Sequence, residues 1–227
     1  MFTKEAMNLV VNERLRQINE EKFSREHDQH FIEGELAAAA ACYSVPPHLR
    51  VDGTFEPLTI FPWDRKWFKP SPENRIRELV KATALNIAEI ERLLIKEQFV
   101  DLGLPSGKLW AKENIEGYFT YDEAVETFGE NLPSREAFKE LKKECKWRWD
   151  AERRGMVVTG PNGNSIFLPA SGYRNGSSVY GVGSNGYFWS SSYCDGSNAY
   201  YLNFNSGGFY PGGGNFRYYG CSVRLIF

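Results

Sequence analysis

The chain has 227 residues, 42% hydrophobic and 25% charged, with a net charge of −2 at neutral pH. That length suits one or two domains with a real core, and the near-neutral balance excludes a general electrostatic affinity for nucleic acid. No apolar run is long enough to span a membrane, and the opening Met1–Ala6 lacks the apolar segment of a secretory leader.

Residues 1–98 are expected to be helical. Met7, Val11, Leu15 and Ile18 recur at spacings of four and three, and Ile32, Leu36, Ala39 and Tyr43 repeat the pattern through an Ala-rich stretch. A third helix carries Ile76, Val80, Thr83, Ile87, Ile90 and Leu94 on one face, with Ser71 as its cap and Pro72 at its first position. Between the second and third helices, Pro46, Pro47, Pro57, Pro62 and Pro70 exclude a continuous helix. The aromatics there, Phe61, Trp63, Trp67 and Phe68, are expected to cover one end of the bundle.

The pattern changes at Phe99. Val100–Trp110 reads as a strand and a turn centred on Pro105-Ser106-Gly107. Thr120 with Glu123 makes a capping box for a helix through Phe128, and Ser134 caps another in which Phe138, Leu141 and Cys145 share a face. Met156–Thr159 and Ser165–Leu168 flank Pro161-Asn162-Gly163-Asn164, a hairpin signal. Val223, Leu225 and Phe227 alternate with polar neighbours and should point into a core. The fold class is therefore α+β, with a helical domain at 1–98 and a second domain at 99–227.

The last third uses a restricted alphabet. After Met156 there is no Lys, Glu, Gln, Met or His. Between Ala170 and Phe227 the charged residues are Asp195, Arg174, Arg217 and Arg224, while Gly, Ser, Tyr and Asn dominate. Tyr offers large contact area at low entropy cost, and Ser, Gly and Asn offer adaptable hydrogen bonding, as in antibody-like binding loops. Randomising both adenines of an Asn codon excludes Lys, Glu, Gln, Met and Trp; Trp189 alone breaks that rule, inside the motif Trp-Ser-Ser-Ser at 189–192.

Five ordered blocks carry a family resemblance: Val-Asp-Leu-Gly-Leu-Pro-Ser-Gly-Lys-Leu-Trp-Ala (100–111), Leu-Pro-Ser-Arg-Glu-Ala-Phe-Lys-Glu-Leu (132–141), Gly-Pro-Asn-Gly-Asn-Ser-Ile-Phe-Leu-Pro-Ala (160–170), Trp-Ser-Ser-Ser (189–192) and Ser-Val-Arg (222–224). Over residues 99–227 the chain resembles the variable proteins of diversity-generating retroelements of the Bacteroidetes and phage type. The resemblance implies a C-type-lectin-like domain of the formylglycine-generating-enzyme kind, with irregular Gly-rich loops. It also implies a ligand-binding face rewritten by adenine-directed mutagenesis. The positions assigned to that face are Tyr173, Ser177, Ser178, Tyr180, Gly181, Tyr187, Tyr193, Cys194, Asp195, Tyr200, Phe209, Tyr210, Tyr218, Tyr219 and Cys221, whereas Trp189, Val223 and Leu225 are read as scaffold. Residues 1–98, through segments such as Glu13–Ile18, Gly34–Ala37, Pro62–Asp64 and Ala88–Leu93, resemble small phage and prophage proteins of unknown function, which supplies no activity.

The expected function is recognition of a protein or cell-surface ligand, with no catalytic residues, cofactor, metal, nucleic-acid binding or membrane insertion, and with homo-oligomers forming through the helical domain. An alternative from another class is a metal-dependent nucleotide hydrolase in the helical half. His27, Asp28, His30, Glu33 and Glu35 are its densest candidate ligands; a helix over 26–35 would align Glu26, His30 and Glu33, with Glu89 and Glu91 opposite. The paired Glu-x-x-Glu and Glu-x-x-Asp signatures of such enzymes are absent, and a solvated helix start accounts for the acids. Cys194 and Cys221 are too far apart for the closely spaced pair of a formylglycine-generating enzyme. The four cysteines, including Cys42 and Cys145, read as free thiols of a protein made in a reducing cytosol, with virion association as a further destination.

Overall fold

In the computed structural model, which describes residues 2–51 and 59–227, helices precede a strand-rich region, and the architecture is α+β. The chain divides into two units, Met1–Glu97 and Gln98–Phe227, one residue from the boundary expected from the sequence. Pro57 lies outside the described residues.

The first unit contains α1 (Phe2–Asn19), α2 (Arg25–Asp28), α3 (Glu35–Ser44), α4 (Pro47–Val51) and α5 (Arg75–Gln98). Helix α5 starts later than the sequence suggests. Ser71 belongs to a turn that accepts the Asn74 N–H, and Asn74 Oδ1 caps the helix by accepting the Arg77 N–H at 3.0 Å. A carboxamide three residues before a free amide satisfies one of the orphan donors of the first turn.

The apolar stripes of α1 and α5 point the other way from expectation, whereas Leu36, Ala39 and Tyr43 of α3 are buried as expected. Met7, Val11 and Leu15 of α1 are exposed, as are Ile76, Ile90 and Leu94 of α5 and Ile32 before α3. The buried positions of α1 are Glu13, Arg14 and Gln17, and those of α5 are Glu78, Ala82, Ala84, Ala88, Arg92 and Ile95. Ion pairs explain this inversion. Arg14 reaches Asp28 at 2.7 Å and Glu91 at 2.9 Å, and Arg50 reaches Glu78 at 2.6 Å. Buried charges persist only when matched in this way. The apolar core of the unit is small. Ala39, Cys42 and Tyr43 of α3 gather with Ala82 and Phe61, and Trp63, Phe68 and Leu85 pack against them. Trp67 remains exposed.

The second unit begins with β1 (Phe99–Asp101) and β2 (Leu109–Ala111), paired antiparallel around the expected turn, where the Gly107 N–H donates to the Leu104 carbonyl. It continues through β3 (Ile115–Phe119), α6 (Tyr121–Phe128), α7 (Arg135–Glu144), β4 (Lys146–Asp150), β5 (Gly155–Thr159), β6 (Ser165–Pro169), β7 (Tyr173–Asn175), β8 (Ser178–Tyr180), β9 (Asn185–Tyr193), β10 (Asn198–Asn205), β11 (Gly208–Phe216) and β12 (Cys221–Val223). Helix α6 has the capping box of Thr120 and Glu123, and Ser134 caps α7 through the Ala137 N–H.

A five-stranded sheet runs β11-β10-β9-β12-β3, with β12 parallel to β9 and antiparallel to β3. Strands β4-β5-β6 form a meander, and β7-β8 a separate hairpin. Register divides the larger sheet into two faces. Phe188 opposes Leu202, and Phe204 opposes both Gly186 and Phe209. Phe188, Leu202 and Phe204 join Trp110, Phe138, Leu141, Val158 and Leu168 in the main core. A Cβ on Gly186 would sit 2.1 Å from the Phe204 ring, so this strand position must be glycine. On the other face Trp189 opposes Tyr201, and Asn203 opposes both Tyr187 and Tyr210.

The final residues are more deeply placed than simple alternation predicts. Val223 is buried and Leu225 and Phe227 are half-buried, but Arg224 and Ile226 are buried as well. Arg224 donates to the Ala111 carbonyl at 2.8 Å and the Phe167 carbonyl at 2.6 Å, which ties β2 to β6. Burial lowers its pKa to about 10. Beyond β12, Leu109 and Phe227 exchange backbone hydrogen bonds, each at 2.9 Å. Among the described residues, no helix is long and apolar enough to cross a membrane.

Candidate functional site

The outer face of the large sheet is built on Trp189. Its ring is fully buried, its indole N–H donates to the Phe119 carbonyl at 2.7 Å, and it meets the Tyr121 ring edge-on at 5.7 Å. Tyr121, Ala124, Leu132, Ala199, Cys221 and Val223 complete this second core.

Above it lies a continuous sheet of rings. Tyr173 is the hub, with centroids 5.7 Å from Tyr180, 5.1 Å from Tyr187 and 5.0 Å from Tyr219. Tyr187 continues to Tyr201 at 5.8 Å, and Tyr219 continues to Tyr218 at 4.7 Å, which stacks with Phe216 at 5.4 Å. Tyr180, Tyr218 and Phe216 are exposed, and the hub is half-buried. Offset and edge-on ring pairs at these distances are favourable beyond their area alone. Hairpin β7-β8 is held in place by Gly172. Its φ of +71° and a hypothetical Cβ 2.1 Å from the Tyr180 carbonyl leave no room for a side chain.

Charge is scarce at this face. Arg217 pairs with Asp122, and its guanidinium lies over the Tyr121 ring at 5.3 Å and the Tyr193 ring at 5.8 Å. Beside it, Thr120, Gly196, Ser197, Phe216 and Tyr218 line a hollow of about 500 Å³. Burial raises the Tyr187 and Tyr201 pKa values, and a hydrogen bond with Tyr218, together with desolvation, raises that of Tyr219.

The fifteen positions assigned from sequence separate into groups. Tyr173, Tyr180, Tyr187, Tyr218 and Tyr219 join the ring sheet; Ser177, Ser178 and Gly181 lie exposed on or beside the β7-β8 hairpin. Tyr193 and Tyr210 are exposed, with Tyr210 on the face of Tyr187 by register. Asp195 organises the β9–β10 turn: it accepts from the Ser197 and Asn198 N–H groups and the Asn198 amide, and these bonds hold its carboxyl below the usual range. Cys194 is half-buried beside it.

Three positions fall outside the exposed face. Cys221 is fully buried in the second core, where burial pushes its thiol pKa far up. Phe209 points to the opposite face and stacks on Trp147 at 4.1 Å. Tyr200 lies under the Arg135 guanidinium at 4.1 Å. Codon reasoning ignores which side of a strand a residue occupies, so it admits all three. It also passed over Tyr201 and Phe216, and over Val179 and Val182, which are exposed at the hairpin. Phe216 carries a usable signal, because Phe is reachable from an Asn codon.

Among the described residues no group of three or more His, Cys, Asp or Glu side chains is placed to hold a metal ion; Asp28 and Glu91 instead share Arg14. Helix α2 ends at Asp28, so 26–35 is not one helix. Glu35 accepts the Glu33 N–H, Glu89 binds Arg92, and Glu91 is held by Arg14 and Arg25.

Residues 136–226 match the model of a domain family of unknown function (DUF8237), a span that runs from α7 to the last buried residues of the core. At a stringent significance threshold, no curated protein and no solved structure matches the chain.

Proposed function

We propose that this chain is a hypervariable ligand-binding protein. In this reading the 98–227 unit is a C-type-lectin-like scaffold, and its ring-covered face recognises a protein or cell-surface ligand without catalysing a reaction. The observation that carries the reading is the sheet of rings from Tyr180 through Tyr173 and Tyr219 to Phe216, exposed at its margins and nearly free of unpaired charge. Exposed aromatic patches mark interaction sites, and aromatic anchors dominate interface energetics. The restricted alphabet of residues 157–227 supports diversification of this face, and the resemblance to retroelement variable proteins supports the same mechanism.

The helical unit serves as an oligomerisation module in this reading. Its exposed stripe at Ile76, Ile90 and Leu94 keeps a spacing that suits helix pairing between copies. Synthesis in the cytosol followed by assembly into a phage particle fits both halves.

The test is the neighbouring DNA. A near-copy of the 3′ end should lie beside a reverse-transcriptase gene, with differences at template adenines that map to the face. A neighbourhood with neither element would defeat the proposal of diversification.

A further inference from the structure

The helical unit contains a second site whose chemistry differs from that of the ring-covered face. A cavity of about 760 Å³ opens within it, in the size range of small-molecule pockets (roughly 300–1,000 Å³). One wall is aromatic: Trp63 meets Phe31 at 5.1 Å and Phe61 at 5.6 Å, and Tyr43 lines the cavity too, joined to Phe61 through Phe68, which stands outside the lining, at 5.0 and 5.1 Å.

The other wall is cationic. Lys81 lies over the Tyr43 ring at 5.4 Å, so the two walls meet there. It donates to the Lys69 carbonyl at 2.7 Å and to Ser71 Oγ at 3.4 Å, which leaves one N–H for a ligand. Arg77, one turn away on α5, also lines the cavity and makes no side-chain hydrogen bond or ion pair among the described residues. The Lys69 ammonium lies over the Trp67 ring at 5.6 Å, with no carboxylate partner among the described residues.

The remaining charges of the lining are already matched. Arg14 is paired with Asp28 and Glu91, Arg16 with Glu13 and Glu21, and Asp64 with Lys66. Three cations with no ion-paired carboxylate among the described residues therefore border an aromatic surface, with Glu13 acting on Arg77 and Lys81 only at longer range. Burial first, and then the neighbouring Arg77 charge, hold the Lys81 pKa below its ordinary value, with Glu13 offsetting part of the fall. A bound anion would relieve that repulsion.

We propose that this cavity binds a mononucleotide, with its base against the Trp63 wall and its phosphate on Lys81 and Arg77. Inorganic phosphate would leave the aromatic wall uncovered, and a neutral ring would leave the cations unmatched. A nucleoside monophosphate satisfies both. The proposal concerns binding alone, and it stands independently of the ring-covered face.

The experiment titrates the full-length chain with AMP, GMP, CMP and UMP, with the four nucleosides and inorganic phosphate as controls. Calorimetry and tryptophan fluorescence report binding. At least one monophosphate should saturate the protein in the submillimolar range, with its nucleoside and inorganic phosphate each at least about ten-fold weaker. Arg77→Met and Lys81→Met should each weaken binding about ten-fold, and Trp63→Leu should do so with the phosphate contacts intact. Arg77 is exposed and unpaired, so its variant keeps the fold even if the Lys81 variant does not. Absence of saturable binding by all four nucleotides would overturn the proposal. So would equal affinity for inorganic phosphate, or unchanged affinity in Arg77→Met.

Discussion

Replacing Trp189 by Ala should nearly exhaust the stability of the C-terminal unit. The ring is fully buried and closes the second core between β9 and α6. Truncating a buried Trp to Ala costs about 3–5 kcal/mol in lost transfer and cavity terms. The same change removes the indole N–H that the Phe119 carbonyl accepts at 2.7 Å; a lost hydrogen bond adds about 0.5–1.5 kcal/mol. The sum, roughly 3.5–6.5 kcal/mol, approaches the stability of a typical domain, about 5–15 kcal/mol. Five exposed positions provide the contrast. Simultaneous replacement of Ser177, Ser178, Tyr180, Tyr193 and Tyr210 by Ala should cost at most about 0.5 kcal/mol each, because all five are exposed. Scanning calorimetry of the full chain, with the β-rich transition assigned by near-ultraviolet circular dichroism, measures both variants. At about 3–5 °C per kcal/mol for a domain of this size, Trp189→Ala should lower the midpoint by more than about 10 °C. Trp189→Phe should fall between it and the native chain. Unfolding of the five-fold variant alongside an intact Trp189→Ala protein would refute the division into display and scaffold residues.

Binding of an identified ligand at the ring-covered face should change little across a salt series, because few unpaired charges are available to be screened; truncating Tyr180 or Tyr218 should cost at least about 2 kcal/mol, and loss of affinity at moderate salt would place the site elsewhere. Charge placed in the helical stripe, as in Ile90→Glu with Leu94→Glu, should shift the full chain to a smaller species in sedimentation velocity; an unchanged distribution would remove the oligomerisation role. Acid sensitivity of the helical unit should depend on Glu78. Burial alone would raise its pKa, but bonds and charges from Arg50 and Arg75 and the Ser71 N–H outweigh burial and bring it below 4.5. Stability from this carboxylate is therefore present above pH 4.5 and lost as pH falls through the lower folded-state value. Glu78→Gln should flatten the helical unit's unfolding free energy across that window, and a profile as steep as the native one would show that other groups set it.

The sequence identified the local elements well because their signals are local. The capping box at Thr120 and Glu123, the Ser134 cap and the hairpin at 161–164 each specify a few adjacent residues, and all three form. Orientation was less legible. A period of three and four locates α1 and α5, but it does not say which side faces inward. In the helical unit, charged partners distant in sequence decide that: Arg14 with Glu91, and Arg50 with Glu78. The candidate face was legible as a composition and blurred as a list. Tyr187, Cys221 and Phe209 all satisfy the same codon rule, yet strand register sends them to the ring sheet, the inner core and the opposite face respectively. The cavity of the helical unit left no compact motif, since Phe31, Phe61, Trp63, Arg77 and Lys81 come together only through the tertiary fold.

The pairing of Leu109 with Phe227, and of β12 with β3, sets an order of events during synthesis. Strand β9 has β12 as its neighbour on the β3 side, so the large sheet cannot close until residues 221–227 have emerged from the ribosome. Contacts this distant in sequence form late, because loop closure must come first. Residues 171–220 therefore wait in an incomplete sheet, exposed to pairing with other chains. A segment rich in Gly, Ser and Asn tolerates that interval better than an equally aromatic stretch of Val and Ile would, since it forms few adhesive β-prone windows. The same alphabet thus protects the unfinished chain, and substitutions that leave the folded face unharmed can still lower the yield of folded protein.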